Sequence, residues 1–265
     1  MNKVIFCDID GTILDGSRGM MEVSDKTRYA MKQLKDNGDH VVIASGRCKG
    51  LLDPKILSLD PSGYILCNGA YAEFMGKEIY SLYFTRQQLS AIKRIVSKYN
   101  GFVIFEALDE MYVDSLQSES FKAFMKGWGS SLDGFKEGGE GRSDFLIGMI
   151  GFLDRSVMKD VEEELSEYVD LAAHKQFNSY DVNIKGVNKA IGTKRIIKYL
   201  DIPLEDTYCF GDAINDLEML QSVGHPVIVA NCADELRGYG FEETDDVLDD
   251  GFYNYLVSHK LIKAL

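Results

Sequence analysis

The chain has no long apolar run, no excess of basic residues, no paired cysteines and no clustered histidines, and each absence removes a class of function. Its longest nearly uncharged apolar stretch, Phe145 to Leu153, is nine residues and ends at Asp154, against the roughly 20 that a membrane helix needs. Acidic side chains outnumber basic ones 42 to 29, for a formal net charge of -13. That field repels phosphate backbones and anionic lipid headgroups, so neither nucleic acid nor a membrane is an expected partner. The five cysteines (Cys7, Cys48, Cys67, Cys209, Cys232) are scattered and never in C-x-x-C spacing, which excludes a disulfide framework and a zinc site and leaves them as small core residues. No repeat, low-complexity tract or linker rich in Pro or Ser interrupts the chain. The start, Met1-Asn2-Lys3 running into Val4-Ile5-Phe6-Cys7, has no apolar segment of signal length, so a cytoplasmic location is expected. What remains is 265 residues, 45% hydrophobic and 27% charged, enough for one or two globular domains and a cleft.

Strand and helix signals alternate at both ends. Lys3 to Cys7 reads as a buried parallel strand that breaks at Asp8-Ile9-Asp10-Gly11-Thr12. Ser24 caps an amphipathic helix that carries Ala30, Met31 and Leu34 and stops at Asn37-Gly38. Strands His40 to Ala44 and Tyr64 to Cys67 follow, ending at Ser45-Gly46-Arg47 and Asn68-Gly69. After the middle of the chain come helix Lys189 to Leu200, strand Tyr208 to Phe210, helix Asp216 to Ser222, strand Val227 to Val229 and a last helix from about Tyr253. The acidic stretch Glu242-Glu243-Thr244-Asp245-Asp246 reads as a solvated loop. The pattern predicts an α/β, doubly wound, mostly parallel sheet whose ligands sit beyond the carboxyl ends of its strands.

The middle is α+β in pattern. Thr85-Arg86-Gln87-Gln88 is a capping box for a helix with Leu89, Ile92, Ile95, Val96 and Tyr99 on one face. A hairpin (Phe102 to Phe105, Met111 to Asp114), a helix near Ser120 to Lys126, a glycine-rich loop Gly127 to Arg142, strand Phe145 to Phe152, helix Val157 to Tyr168 and strands Val169 to Ala173 and Tyr180 to Ile184 complete it. Residues 81–185 are therefore expected to be an inserted domain, with 1–80 and 186–265 building one core together.

Chemistry concentrates at the predicted strand ends. Asp8 and Asp10 are two apart in extended chain and face one side. One carboxylate of such a pair can attack an electrophile while the other moves a proton, and both offer hard oxygens to Mg²⁺. An acidic turn with Gly11 for geometry and Thr12 as a local cap accounts for this motif taken alone equally well. Gly211-Asp212-Ala213-Ile214-Asn215-Asp216 repeats the pattern after another apolar strand. If the two strands are neighbours, Asp212 completes an oxygen-rich cation site, whereas Asp216 could instead offset a helix dipole. Ser45 and the Gly46 amide can donate to phosphate oxygens, and Lys189 can supply a point charge. Arg47 could touch phosphate or pair with an acid.

Taken in order, Asp8-Ile9-Asp10-Gly11-Thr12, Ser45-Gly46-Arg47, Lys189 and Gly211-Asp212-Ala213-Ile214-Asn215-Asp216 resemble the four motifs of the haloacid dehalogenase (HAD) superfamily of phosphohydrolases. Asn68-Gly69-Ala70, the Lys185-Gly186 start of the Lys motif and the position of the insertion resemble its Cof-type branch with a class IIB cap. The resemblance implies a Rossmann-like core with an α+β cap over residues 81–185, Asp8 as nucleophile forming an aspartyl-phosphate, and Asp10 as general acid and then base. It further implies Mg²⁺ on Asp8, Asp10 (through its backbone carbonyl) and Asp212. Ile9, Ser45, Gly46, Lys189 and Asn215 would hold the phosphoryl group, with Thr12, Arg47 and Asp216 in support.

Two departures stand out: Ala213 where the branch often has a polar residue, and Val223 to Cys232, where Asn231 matches the branch's Gly-Asn-Ala but the flanking glycine is missing. The cap is also shorter in its middle than is usual for the family. The implied partner is a small phosphorylated metabolite bound by a monomer or small homo-oligomer, a sugar phosphate before a phosphorylated cofactor such as pyridoxal phosphate. A phosphosugar mutase shares every core motif, whereas the intact Asp8, Asp10, Ser45, Lys189 and Asp212 count against a silent phospholigand-binding protein, which needs no acid/base at position 10. His225 reads as packing or surface, His174 as a remote substrate contact, and Tyr112, Phe121, Phe124 and Trp128 as cap packing before an aromatic wall.

Overall fold

The computed structural model describes residues 2–128, 134–139, 141–174 and 177–265, and divides into two compact units. The first comprises Met1–Arg47, Leu52–Tyr80 and Asn188–Leu265; the second comprises Cys48–Leu51 and Ser81–Val187. The tetrapeptide Cys48–Leu51 thus groups with the inserted segment, where the Gly50 N–H donates to the Leu108 carbonyl at 3.0 Å.

The first unit is built on an eight-stranded sheet. Its strands are β1 (Val4–Cys7), β2 (His40–Ala44), β3 (Gly63–Leu66), β4 (Tyr71–Phe74) and β5 (Lys77–Ser81) from the N-terminal part. From the C-terminal part come the strands Thr207–Gly211, His225–Val229 and Glu242–Thr244. These last three are β12, β13 and β14, and the sheet order is β14-β13-β12-β1-β2-β3-β4-β5. Pairing is parallel from β14 through β3 and antiparallel from β3 to β4. The chain first walks outward from β1 to β3 and later outward the other way from β12, so β1 and β12 meet at the point where strand order reverses. All four residues of β1 are buried, as the uninterrupted apolar run requires of a central parallel strand.

Helices α1 (Asp25–Asp36) and α2 (Pro54–Leu57) belong to this unit. Ser24 accepts from the Thr27 amide at 3.1 Å to start α1, and Thr27, Ala30, Met31 and Leu34 form its buried face. Three features depart from the sequence reading. The acidic stretch is not wholly loop: Glu242–Thr244 is the parallel edge strand β14, where exposed acids suit an unpaired edge. The hairpin β4–β5 was not expected, because its two-residue turn is Met75-Gly76, both at positive φ (50° and 74°), in place of the Asn-Gly or Asp-Gly that signals such turns. The helix expected from Asp216 is only one turn, Leu217–Leu220, after a 3-10 turn Ile214–Asp216.

The second unit holds β6 (Phe102–Glu106), β7 (Met111–Val113), β8 (Phe135–Glu137), β9 (Ile147–Gly151), β10 (Val169–Ala173) and β11 (Ser179–Ile184), in the order β10-β11-β9-β6-β7-β8. Strand β8 lies inside the segment expected to be loop. The unit's helices are α3 (Arg86–Lys98), α4 (Glu119–Trp128) and α5 (Met158–Leu165). Alternation along β6 explains the layering: Val103 and Phe105 join the core that buries Ile92, Ile95 and Val161 of α3 and α5, while Phe102 and Ile104 join Phe121 and Met125 of α4. Tyr112, Phe121 and Phe124 therefore pack within this unit; the Trp128 side chain lies outside the described residues. Back in the first unit, α6 (Lys189–Leu200), α7 (Leu217–Leu220), α8 (Asp234–Arg237) and α9 (Gly251–Ser258) complete the fold. All five cysteines are buried. Among the described residues no helix is long and apolar enough to cross a membrane.

Candidate active site

The ladder between β1 and β12 runs one residue past β1, since the Asp8 N–H donates to the Phe210 carbonyl at 3.0 Å. Asp8 therefore sits at the carboxyl end of the central strand, and Asp212 sits at the end of its neighbour. Lys189, the first residue of α6, reaches between them. Its Nζ donates to Asp8 Oδ1 at 2.6 Å and to Asp216 Oδ1 at 2.6 Å, with only 1% of the lysine exposed. The other oxygen of Asp216 accepts from the amides of Asp212 and Ala213, each at 3.1 Å. A fully buried aspartate thus ties the lysine to the loop carrying Asp212.

Ligand-quality oxygens of Asp8, Asp212 and Asp216 all lie within 4.8 Å of one another. Burial, opposed by Lys189 and reinforced by Asp216 and Asp212, pushes the Asp8 carboxyl well above the usual carboxylate range. Burial and the Asp216 charge likewise push Asp212 up to about 7, against the hydrogen bond it receives from Thr12 Oγ1 at 3.1 Å. Burial opposes the charge on Lys189, but Asp216 and Asp8 outweigh it and hold the ammonium protonated. Three clustered carboxylates and one buried cation leave the rim short of positive charge, the setting in which a hard divalent ion is favoured.

Two loop devices shape this rim. Gly11 has φ +89°, and a Cβ placed there would lie 2.2 Å from Asp212 Oδ2, so the loop after β1 approaches Asp212 as only glycine permits. Asn231 anchors the same loop, donating from Nδ2 to the Gly11 carbonyl at 2.7 Å and accepting the Val247 amide at 2.9 Å. The departure from the family's pattern around Asn231 leaves this anchor in place.

Ser45 and Gly46 follow β2 at the same end of the sheet. The Ser45 hydroxyl is buried and accepts the Arg47 amide at 3.2 Å, which leaves its own proton to donate. Beside it Cys67, Asn68 and Gly69 are consecutive residues at positive φ (54°, 49° and 96°). This strained turn places Asn68 Oδ1 against Gly46 and 3.4 Å from Asn215 Nδ2. The sequence marks Asn68-Gly69 as a strand end and a branch motif without giving the Asn68 side chain a role.

Asp10 stands apart from the three clustered carboxylates. Its side chain is 53% exposed and is gripped by Arg47, Nη2 to Oδ1 at 2.7 Å and Nε to Oδ2 at 3.1 Å. Both residues overhang the same end of the paired strands β1 and β2, so the pairing follows from that register. His225 stacks on Tyr208 at 4.3 Å between ring centroids, a packing role. His174 is in the second unit, where its ring lies 3.1 Å from Asp181 and 2.7 Å from the Ser179 hydroxyl.

Nearly the whole chain is similar to known proteins. Residues 5–256 match the family model described as haloacid dehalogenase-like hydrolase. YkrA of Bacillus subtilis strain 168 is 30% identical over 261 residues, 94% of this chain and 95% of its own length. The 5-amino-6-(5-phospho-D-ribitylamino)uracil phosphatase YitU of the same strain is 27% identical over 96% of both chains. The crystal structure of a subclass IIB sugar phosphatase of the HAD superfamily superimposes with a TM-score of 0.82 over 98% of this chain and 100% of its own, at 22% identity, a likeness of fold. The protein is a phosphatase, a hydrolase of phosphoric monoesters, and it belongs to the haloacid dehalogenase-like hydrolases with a subclass IIB fold.

Proposed function

We propose that the protein is a Mg²⁺-dependent phosphatase of small phosphomonoesters, sugar phosphates first among them, working through an aspartyl-phosphate on Asp8. In this reading the first unit is the catalytic core and the second is its cap. The observation that carries it is the buried lysine between Asp8 and Asp216 with Asp212 alongside. The donor set is all oxygen and carries a surplus of negative charge, which fits a hard cation, and Asp8 and Asp212 would hold it with the Asp10 backbone carbonyl. When bound, Mg²⁺ supplies charge neutralisation at the phosphoryl oxygens.

The residues do the rest. Asp8 Oδ attacks phosphorus; the phosphorus–oxygen bond to the leaving group breaks, and Asp10 gives its proton to the departing oxygen. Lys189 screens Asp8 from the incoming phosphate charge, and its second partner Asp216 keeps it aimed. The Ser45 hydroxyl, the amides of Ile9 and Gly46 and the Asn215 side chain donate to the phosphoryl oxygens, with Asn68 orienting Asn215. Water then attacks the phosphorus of the acyl phosphate, Asp10 takes its proton, and phosphate leaves. The substrate preference is supported by YitU, whose named substrate carries its phosphate on a ribityl chain.

The test is phosphate release from a panel of sugar phosphates, pyridoxal phosphate, nucleotides and p-nitrophenyl phosphate, with Mg²⁺ or with EDTA, and Asp8→Asn as the blank. Release that needs both Mg²⁺ and Asp8 supports the proposal. Full activity in EDTA removes the cation site, and an isomerised phosphosugar without free phosphate makes the protein a mutase.

A further inference from the structure

We propose that Arg47 is a positioning residue for the second half of this reaction: it holds the Asp10 carboxylate as the proton acceptor for the water that releases phosphate from Asp8. The inference rests on the assignment of Asp8 as nucleophile and Asp10 as acid and base.

The contact is built at both ends. The Arg47 amide donates to Ser45 Oγ at 3.2 Å and its carbonyl accepts the Cys67 amide at 3.1 Å, so the guanidinium extends from a fixed backbone. The loop of Asp10 is closed by the Gly11 amide on the Leu14 carbonyl at 2.7 Å and by a bridge between Asp10 and Leu14. Between them two N–H groups meet two carboxylate oxygens, at 2.7 and 3.1 Å, the fork geometry that fixes a carboxylate in plane. Without that fork a half-exposed aspartate would turn freely among its rotamers.

The direction of the hydrogen bonds fixes where on Asp10 a proton can be accepted. A guanidinium only donates and keeps its protons. A carboxyl proton on either gripped face would point donor against donor, so the fork leaves only the ungripped lone pairs of Asp10 to take a proton. In the second half-reaction the water oxygen bonds to phosphorus, the phosphorus–oxygen bond to Asp8 breaks, and the water proton moves to a lone pair of Asp10 that Arg47 does not occupy. That same proton goes to the leaving oxygen in the next turnover, which closes the balance. Arg47 neither gains nor loses a proton.

Kinetics separates this role from a clamp on the substrate. If loss of Arg47 slows only hydrolysis of the acyl phosphate, kcat and KM fall together, kcat/KM holds, and the phosphoenzyme accumulates. Loss of a phosphate clamp instead raises KM and lowers kcat/KM. The experiment uses p-nitrophenyl phosphate, whose leaving group needs little protonation, with rapid quench and intact-protein mass on wild type, Arg47→Gln, Arg47→Lys, Asp10→Asn and the Arg47→Gln/Asp10→Asn double variant.

The expected result for Arg47→Gln is a burst of p-nitrophenol, a phosphorylated protein mass and kcat about 100-fold down, the low end of what a general base contributes. Arg47→Lys, with the charge but not the fork, recovers part of it, and the double variant is no slower than Asp10→Asn alone. A raised KM without a burst, or unchanged kinetics in Arg47→Gln while Asp10→Asn accumulates phosphoenzyme, overturns the role of Arg47 and leaves the parent assignment standing. No phosphoenzyme in Asp10→Asn together with an active Asp8→Asn overturns the parent assignment instead.

Discussion

Replacing Lys189 with methionine tests the electrostatic frame of the site. Methionine keeps most of the aliphatic stem, so the perturbation is loss of one buried charge. That ammonium is 2.6 Å from Asp8 and 2.6 Å from Asp216, with 1% of the lysine exposed. Its removal leaves two buried carboxylates with no counter-charge, and breaking a buried pair in this way costs about 3–5 kcal/mol. For a domain of this size the corresponding fall in Tm is roughly 10 °C.

The loss depends on pH with a definite sign. Burial already raises Asp8 against the opposing charge of Lys189; deprived of the lysine, Asp8 binds its proton more tightly still when folded than when unfolded, so the variant gains relative stability at low pH and loses it as pH rises. Urea unfolding of Lys189→Met and wild type at pH 5.5 and pH 8 in EDTA, and at pH 8 with Mg²⁺, measures all of this. The gap is expected to be larger at pH 8 and to narrow when Mg²⁺ is added. A loss below about 1 kcal/mol that is equal at both pH values would mean that the pair behaves as a surface ion pair and would refute the reasoning.

Other outcomes follow from the same physics. Glu106, 6% exposed, is pushed up to about 7 by burial, against the hydrogen bond from Cys48. Its folded form therefore retains a proton that the unfolded form sheds, and stability falls by about 3 kcal/mol as pH rises from 4.5 past 7. Glu106→Gln, neutral throughout, should flatten that slope and be the more stable protein at pH 8, as read by thermal unfolding across pH. Because Asp212 is held up to about 7 and must ionise to bind a cation, Mg²⁺ affinity should weaken by at least about tenfold per pH unit below 7, in calorimetric titrations. Gly11→Ala forces a Cβ to within 2.2 Å of Asp212 Oδ2 at a φ of +89°, so Mg²⁺ affinity should drop with little change in the second unit's unfolding.

The proposed catalytic rim was legible in the sequence because it lies on short segments directly after strands: Asp8 after β1, Ser45 after β2, Asp212 after β12. Those strands advertise themselves by being apolar after their first residue. Lys189 was legible as the opening residue of a helix, but its two partners come from positions 181 and 27 residues away and needed the fold. The Arg47–Asp10 fork needed the register of β1 against β2. Elements were missed where the local signal was weak or contrary: Met75 at a left-handed turn, acids on the edge strand β14, and a three-residue strand Phe135–Glu137 among glycines. The fold tolerates each because a neighbouring strand supplies the hydrogen bonds that local preference does not.

The most direct test of the central claim is the location of the phosphoryl group. Asp10→Asn, mixed with p-nitrophenyl phosphate and Mg²⁺, acid-quenched and digested, should yield one phosphorylated peptide, the one containing Asp8, and none when Asp8→Asn is added to it. A phosphoryl group on any other residue, or turnover unaffected by Asp8→Asn, would contradict the account.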